Sequence, residues 1–185
     1  MSLTPTNQIP LGFSMPQFSL PDAITNKIVS SDDVKGEKGT LVMFICNHCP
    51  FVLHVIHELV KIGYDYMNQG IGIIAISSND VISHPQDHPD RMKEFALSLK
   101  FPFPYLYDET QDVARAYDAA CTPDFNLFDA DGFCVYRGQL DGSRPSNNNL
   151  IDGKDLREAL DLVVAGKKVP EDQTPSVGCN IKWKE

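Results

Sequence analysis

Leu41-Val42-Met43-Phe44-Ile45-Cys46-Asn47-His48-Cys49-Pro50-Phe51-Val52 is the stretch on which the fold turns. Its first five residues are apolar without a break and in part branched or aromatic, as in a short strand covered on both faces. From Val52 onward the period changes. Val52, Val55, Ile56, Leu59 and then Tyr66 or Met67 recur at helical spacing, with His54, His57, Glu58 and Lys61 on the other side. An amphipathic helix therefore begins near Cys49. Pro50 falls in its first turn, where a missing backbone N–H breaks no intrahelical bond. Two cysteines thus stand where a buried strand runs into a helix.

Working outward, residues 71–76 read as a second buried strand, and Pro89 opens a helix through Met92, Phe95, Ala96 and Leu99. Residues 103–107 suit another short strand, and Thr110 is placed to cap a helix using Val113, Ala116 and Tyr117. Asp131-Gly132 reads as the turn of an antiparallel hairpin, 125–128 with 133–136. Leu156, Ala159, Leu160 and Val163 define a last helix that Gly166 ends. Upstream, residues 11–38 are interrupted by prolines and turn formers and read as an extended hairpin or loop; residues 141–149 read as a surface loop. Alternation first, hairpin and helix last, predicts an α/β fold, a central mixed sheet flanked by helices. It would occupy one domain, 1–185, with an N-terminal hairpin extension (1–38) and a C-terminal tail (167–185).

The 185 residues carry a formal charge of −9 with no clustered Lys or Arg, which opposes nucleic acid as a partner. The aliphatic runs are strand-sized, and residues 1–10 lack a signal-like pattern, so no membrane partner and a cytoplasmic location are expected. Five cysteines, an odd number, argue against a secreted disulfide framework and for thiols kept reduced or used in exchange.

At a strand-to-helix junction the helix dipole and unpaired amides favour thiolate, so cysteines there titrate at roughly 3.5 to 7.5 instead of about 8.5. Cys46 is expected to attack a substrate disulfide and Cys49 to resolve the mixed disulfide. A partly cationic His48 would further stabilise the Cys46 thiolate; a solvated histidine with no electrostatic role is the alternative. No second Cys-x-x-Cys supplies the other half of a structural zinc site, and neither a metal nor a cofactor is expected. A copper or zinc carrier using Cys46, Cys49 and a histidine stays open as another class of function. Cys134 reads as core packing. Ser78-Asn79-Asp80, at the end of the second strand, and Arg144, in the polar loop, could border the site at the strand C-terminal edges; caps and solvated turns explain them as well, and they stay outside the catalytic set.

Several segments together resemble a known group: 44–51, Ser78-Asn79-Asp80, Tyr107-Asp108-Glu109-Thr110, 122–129, Tyr136-Arg137-Gly138-Gln139 and Gly178-Cys179-Asn180-Ile181-Lys182-Trp183. The chain resembles the thioredoxin-like superfamily in its peroxiredoxin-related branch, alkyl hydroperoxide reductase/thiol-specific antioxidant. Within that branch it is similar to proteins with Cys-Asn-His-Cys-Pro at the active site and a Gly-Cys-x-Ile-Lys-Trp tail. The resemblance implies a thioredoxin-like fold, Cys46 as the attacking thiol, and Pro123 as a cis-proline facing the cysteine pair. The Thr122 backbone would then hydrogen-bond an extended substrate strand. Protein or small-molecule disulfides or thiols, and a reductant, are the implied partners. A thiol peroxidase is the nearest rival, since the peroxiredoxin nucleophile corresponds to Cys49. The rest of that pattern departs: Cys46 replaces its Thr or Ser, Met43 or another apolar residue stands for its preceding Pro, and no Arg accompanies Cys121-Thr122-Pro123-Asp124. Cys121, as a competitor or a regulatory bridge, and Cys179, as a mobile-tail thiol resolving an intermediate, are candidate accessory thiols; buried packing and a tail without catalytic duty are the alternatives.

Overall fold

The computed structural model describes residues 3–185; Met1 and Ser2, at the start of the stretch read for an export signal, lie outside them. The chain begins with β1 (Leu3–Pro5), β2 (Ser19–Pro21), β3 (Ile28–Ser30) and β4 (Gly39–Phe44). Then follow α1 (Pro50–Tyr66), β5 (Ile71–Ser77), α2 (Pro89–Ser98), β6 (Tyr105–Tyr107) and α3 (Asp112–Ala116). β7 (Cys121–Thr122), β8 (Asp124–Asp129), β9 (Cys134–Tyr136), α4 (Lys154–Val164) and β10 (Val177–Asn180) complete it.

Five strands form the central sheet in the order β6-β5-β4-β8-β9. β6, β5 and β4 run parallel, β8 is antiparallel to β4, and β9 is antiparallel to β8. Every residue of β4 is buried, because the sheet is covered on both faces and side chains alternate between them. Leu41, Met43 and Ile45 face a core built with α1, α2 and α4; Val42 and Phe44 face a second one with α3 and the segment around Phe18. With roughly 1.5–3 kcal/mol from each such side chain, β4 is a firm base for the cysteines that follow it.

Two local readings change. Glu58, on the face of α1 assigned to solvent, is buried against Arg157 of α4, whose Nε donates to its Oε1 at 2.7 Å. The start of α3 is capped by the Asp108 carboxylate, which accepts from Ala114 N at 2.9 Å and Val113 N at 3.4 Å. Thr110 contributes only a 3.4 Å contact to Asp112 N. A carboxylate satisfies the unpaired amides of a first turn and complements the dipole there better than a hydroxyl.

The N-terminal hairpin forms as β2 with β3. The C-terminal segment read as a tail is instead structural. β10 lies between β1 and β7, antiparallel to both, with Cys179 opposite Leu3 on one side and Thr122 on the other. No described helix is long and apolar enough to cross a membrane.

Candidate active site

Cys46 and Cys49 lie beyond the end of β4, with Cys49 as the N-cap of α1 and Pro50 at its first position. The Thr122–Pro123 peptide bond is cis, and Thr122 faces the pair. Cys46 Sγ is 3.4 Å from Thr122 Oγ1, and Cys49 Sγ is 3.3 Å from Thr122 O. Both Cys46 and Cys49 are buried, at 1% and 0% exposure. Cys179 is buried with them, its Sγ 2.7 Å from that of Cys49. Three sulfurs therefore cluster, with Cys49 between the other two.

The groups around the pair place the negative charge on Cys49. Its pKa is lowered to about 5, first by the hydrogen bond from Cys46 and against the cost of burial; Cys179, the Val52 amide and Thr122 add to the lowering. The helix start supplies the amide, as expected of a cysteine at this position. Cys46 moves the opposite way, well above the ordinary thiol range, because it donates to Cys49, is buried, and stands near the Asp87 carboxylate. One thiol suppresses ionisation of the other: the Cys46–Cys49 hydrogen bond draws the charge toward Cys49, and burial and then Asp87 add to the rise at Cys46.

A ring nitrogen of His48 lies within 4.8 Å of Cys46 Sγ, and the histidine is paired with Asp87. Its Nδ1 lies 2.7 Å from Asp87 Oδ2, and that partner raises its pKa, with the charge of Cys49 adding only weakly. Its ring also stacks on His84, centroids 5.2 Å apart. Asp87 is fully buried and heavily bonded: Oδ1 accepts from Asn47 N and Oδ2 from Asn79 Nδ2, both at 2.8 Å. Cys46, His48 and Asp87 each offer a ligand atom within 4.8 Å of the others, a set that shares Cys46 and a histidine with the carrier reading but holds Asp87 in place of Cys49.

Asp87 is the site residue that sequence reasoning missed, while Asn79, read as able to border the site, donates to it. Asp87 precedes the helix-opening Pro89 and reads only as part of a polar connection. Asn79, grouped with caps and turns, links the site to the chain end, since its Oδ1 accepts from Lys182 N at 2.8 Å. Its neighbours fit the earlier reading better: Ser78 bonds Asp108, and Asp80 caps the turn through Ser83. Arg144 bonds the carbonyls of Asp141 and Ser143 in its own loop.

Cys121 is not brought to the cluster. Neighbouring side chains on a strand point to opposite faces, so with Thr122 turned toward Cys46, Cys121 turns toward Thr6 Oγ1, 3.5 Å away. Burial pushes its pKa up to about 12. Cys134 is packed in the second core, as expected. The Thr122 edge expected to receive substrate is taken by β10, and Cys179 belongs to that strand, not to a mobile tail.

Against known proteins, the AhpC/TSA family pattern matches residues 11–137. No curated protein matches significantly. Among solved structures the chain is similar to an uncharacterized conserved protein from Geobacillus kaustophilus, at 55% identity, covering 100% of this chain and 97% of that one with a TM-score of 0.97. It is also similar to a hypothetical protein from Sinorhizobium meliloti, at 44% identity and 98% coverage of both chains, TM-score 0.95. The thioredoxin domain of a thiol-disulfide oxidoreductase from Bacteroides vulgatus, 17% identical, shares the fold over 83% of this chain and 99% of that one, TM-score 0.61. The fold is thioredoxin-like.

Proposed function

The chain belongs to the AhpC/TSA family, and from that membership we propose that it is a thiol–disulfide oxidoreductase in which Cys46 and Cys49 cycle between dithiol and disulfide. The observation that carries the reading is the hydrogen-bonded pair at the start of α1, with the charge held on Cys49. The Cys49 thiolate attacks one sulfur of a substrate disulfide, forming a mixed disulfide and expelling the other sulfur as a thiolate. Cys46 then attacks Cys49 Sγ; its proton goes to the expelled thiolate, the mixed bond breaks, and a Cys46–Cys49 disulfide remains. The substrate gains two electrons and the protein loses them. An external thiol reductant closes the cycle, in keeping with a reducing, cytoplasmic setting.

This order exchanges the roles expected from sequence, and the lowered pKa of Cys49 is what supports it. Insulin reduction recycled by dithiothreitol tests the reading: Cys49→Ser is expected to abolish it, and a variant that keeps full activity removes Cys49 from the chemistry. A second reading, thiol peroxidase, is favoured by the thiolate at the position that matches the peroxiredoxin nucleophile. The buried Arg137 is committed to Tyr117 O, Asp118 O and Asn126 Oδ1, which leaves that reading without its usual arginine. Hydrogen peroxide consumption with and without Cys49 separates the two.

A further inference from the structure

Cys49 has two thiol neighbours, and the exchange cycle above uses only one. We propose that Cys179 is a further catalytic thiol, resolving the Cys49 mixed disulfide in competition with Cys46. This rests on the exchange reading at Cys49.

The Cys49 and Cys179 sulfurs are 2.7 Å apart, about 0.7 Å more than a disulfide bond, which places Cys179 within direct reach of the nucleophile. Cys179 is also held in place from both ends. Before it, Ser176 Oγ donates to Pro123 O at 2.7 Å, and Gly178 lies so near Thr122 that a Cβ would stand 2.0 Å from its carbonyl oxygen. After it, Ile181 N donates to Ala120 O, Lys182 N to Asn79 Oδ1, and the Arg115 guanidinium covers the Trp183 ring at 4.5 Å. A thiol that merely filled space would need no such register against the nucleophile.

In the resting dithiol, Cys179 is kept protonated: burial and its contact with the charged Cys49 push its pKa up to about 12. Once Cys49 enters a mixed disulfide its charge is gone, and only burial still opposes ionisation while Lys182 favours it. Cys179 Sγ then attacks Cys49 Sγ. A Cys49–Cys179 bond forms, the Cys49–substrate bond breaks, and the proton of Cys179 leaves on the substrate thiol. Attack by Cys46 on Cys49 converts this product to Cys46–Cys49 and returns the proton to Cys179, with no net oxidation or reduction. The molecule thereby stores the same two oxidising equivalents in either of two bonds.

The test oxidises reduced protein with one equivalent of oxidised glutathione, quenches with acid, and maps disulfides by mass spectrometry of unreduced peptides. Cys46→Ser is expected to release both glutathiones and yield the Cys49–Cys179 peptide. The Cys46→Ser/Cys179→Ser double variant is expected to stop at a Cys49–glutathione adduct. Wild type provides a readout free of any folding defect, with the Cys49–Cys179 peptide among its early products. A stable Cys49–glutathione adduct in Cys46→Ser, together with no Cys49–Cys179 peptide from wild type at any time, overturns the proposal. Failure of the underlying exchange looks different: Cys179→Ser would then form no Cys46–Cys49 bond.

Discussion

Cys46 and Cys49 share one proton at neutral pH, and the groups around them decide where it stays. Cys46 looks toward the buried Asp87 carboxylate, whereas Cys49 receives donors from two thiols and the first turn of α1. The reduced protein is therefore expected to gain thiolate absorbance in the ultraviolet with a midpoint at about 5. Cys49→Ser should lose that step, and Cys46→Ala should shift it up toward the ordinary thiol value of about 8.5, since the largest cause of the lowering is removed. Survival of the low step in Cys49→Ser would return the charge to Cys46. The two cysteines themselves were legible from their spacing at the strand–helix junction, as was Thr122 from its place before Pro123. Their order was not, because Asp87 bonds Asn47 from 40 residues away and no spacing rule joins a connection residue to a thiol.

Strand β10 closes the site, and its register depends on one residue without a side chain. At Gly178 a Cβ would fall 2.0 Å from Thr122 O and 2.6 Å from Thr122 C, both backbone atoms that cannot swing aside. Gly178→Ala is therefore expected to push β10 off β7, at a cost of about 1–3 kcal/mol for a forced overpacking. A lower urea midpoint and faster reaction of the buried thiols with Ellman's reagent would register both consequences. Unchanged stability and unchanged thiol reactivity would show that the strands are not seated so closely. The long elements were readable because each carries its own period over several turns or a full strand. β1, β7 and β10 were not, since they span two to four residues, include Pro5 and Gly178, and gain their order only from pairing across the chain.

For the whole molecule, a thiolate that near neutral pH belongs to the folded, reduced state makes stability depend on pH and redox state together. The folded Cys49 pKa is depressed to about 5, so between that value and the ordinary thiol range the unfolded chain binds one more proton than the folded one. Stability of the reduced form consequently rises with pH across this window. The contribution is complete above about pH 8.5, where both states are ionised, and is lost as pH falls through about 5. Oxidation deletes it, whether Cys49 is bonded to Cys46 or to Cys179, because either bond consumes the thiolate. Comparing reduced with oxidised protein also removes most other titrations, including the His48–Asp87 pair, which both forms contain. The reduced form is expected to gain on the oxidised form by at most about 1.4 kcal/mol per pH unit over that window, the slope for one proton. Urea denaturation of both forms at a series of pH values measures it; a difference that stays flat would mean that no thiolate is stabilised by folding at Cys49.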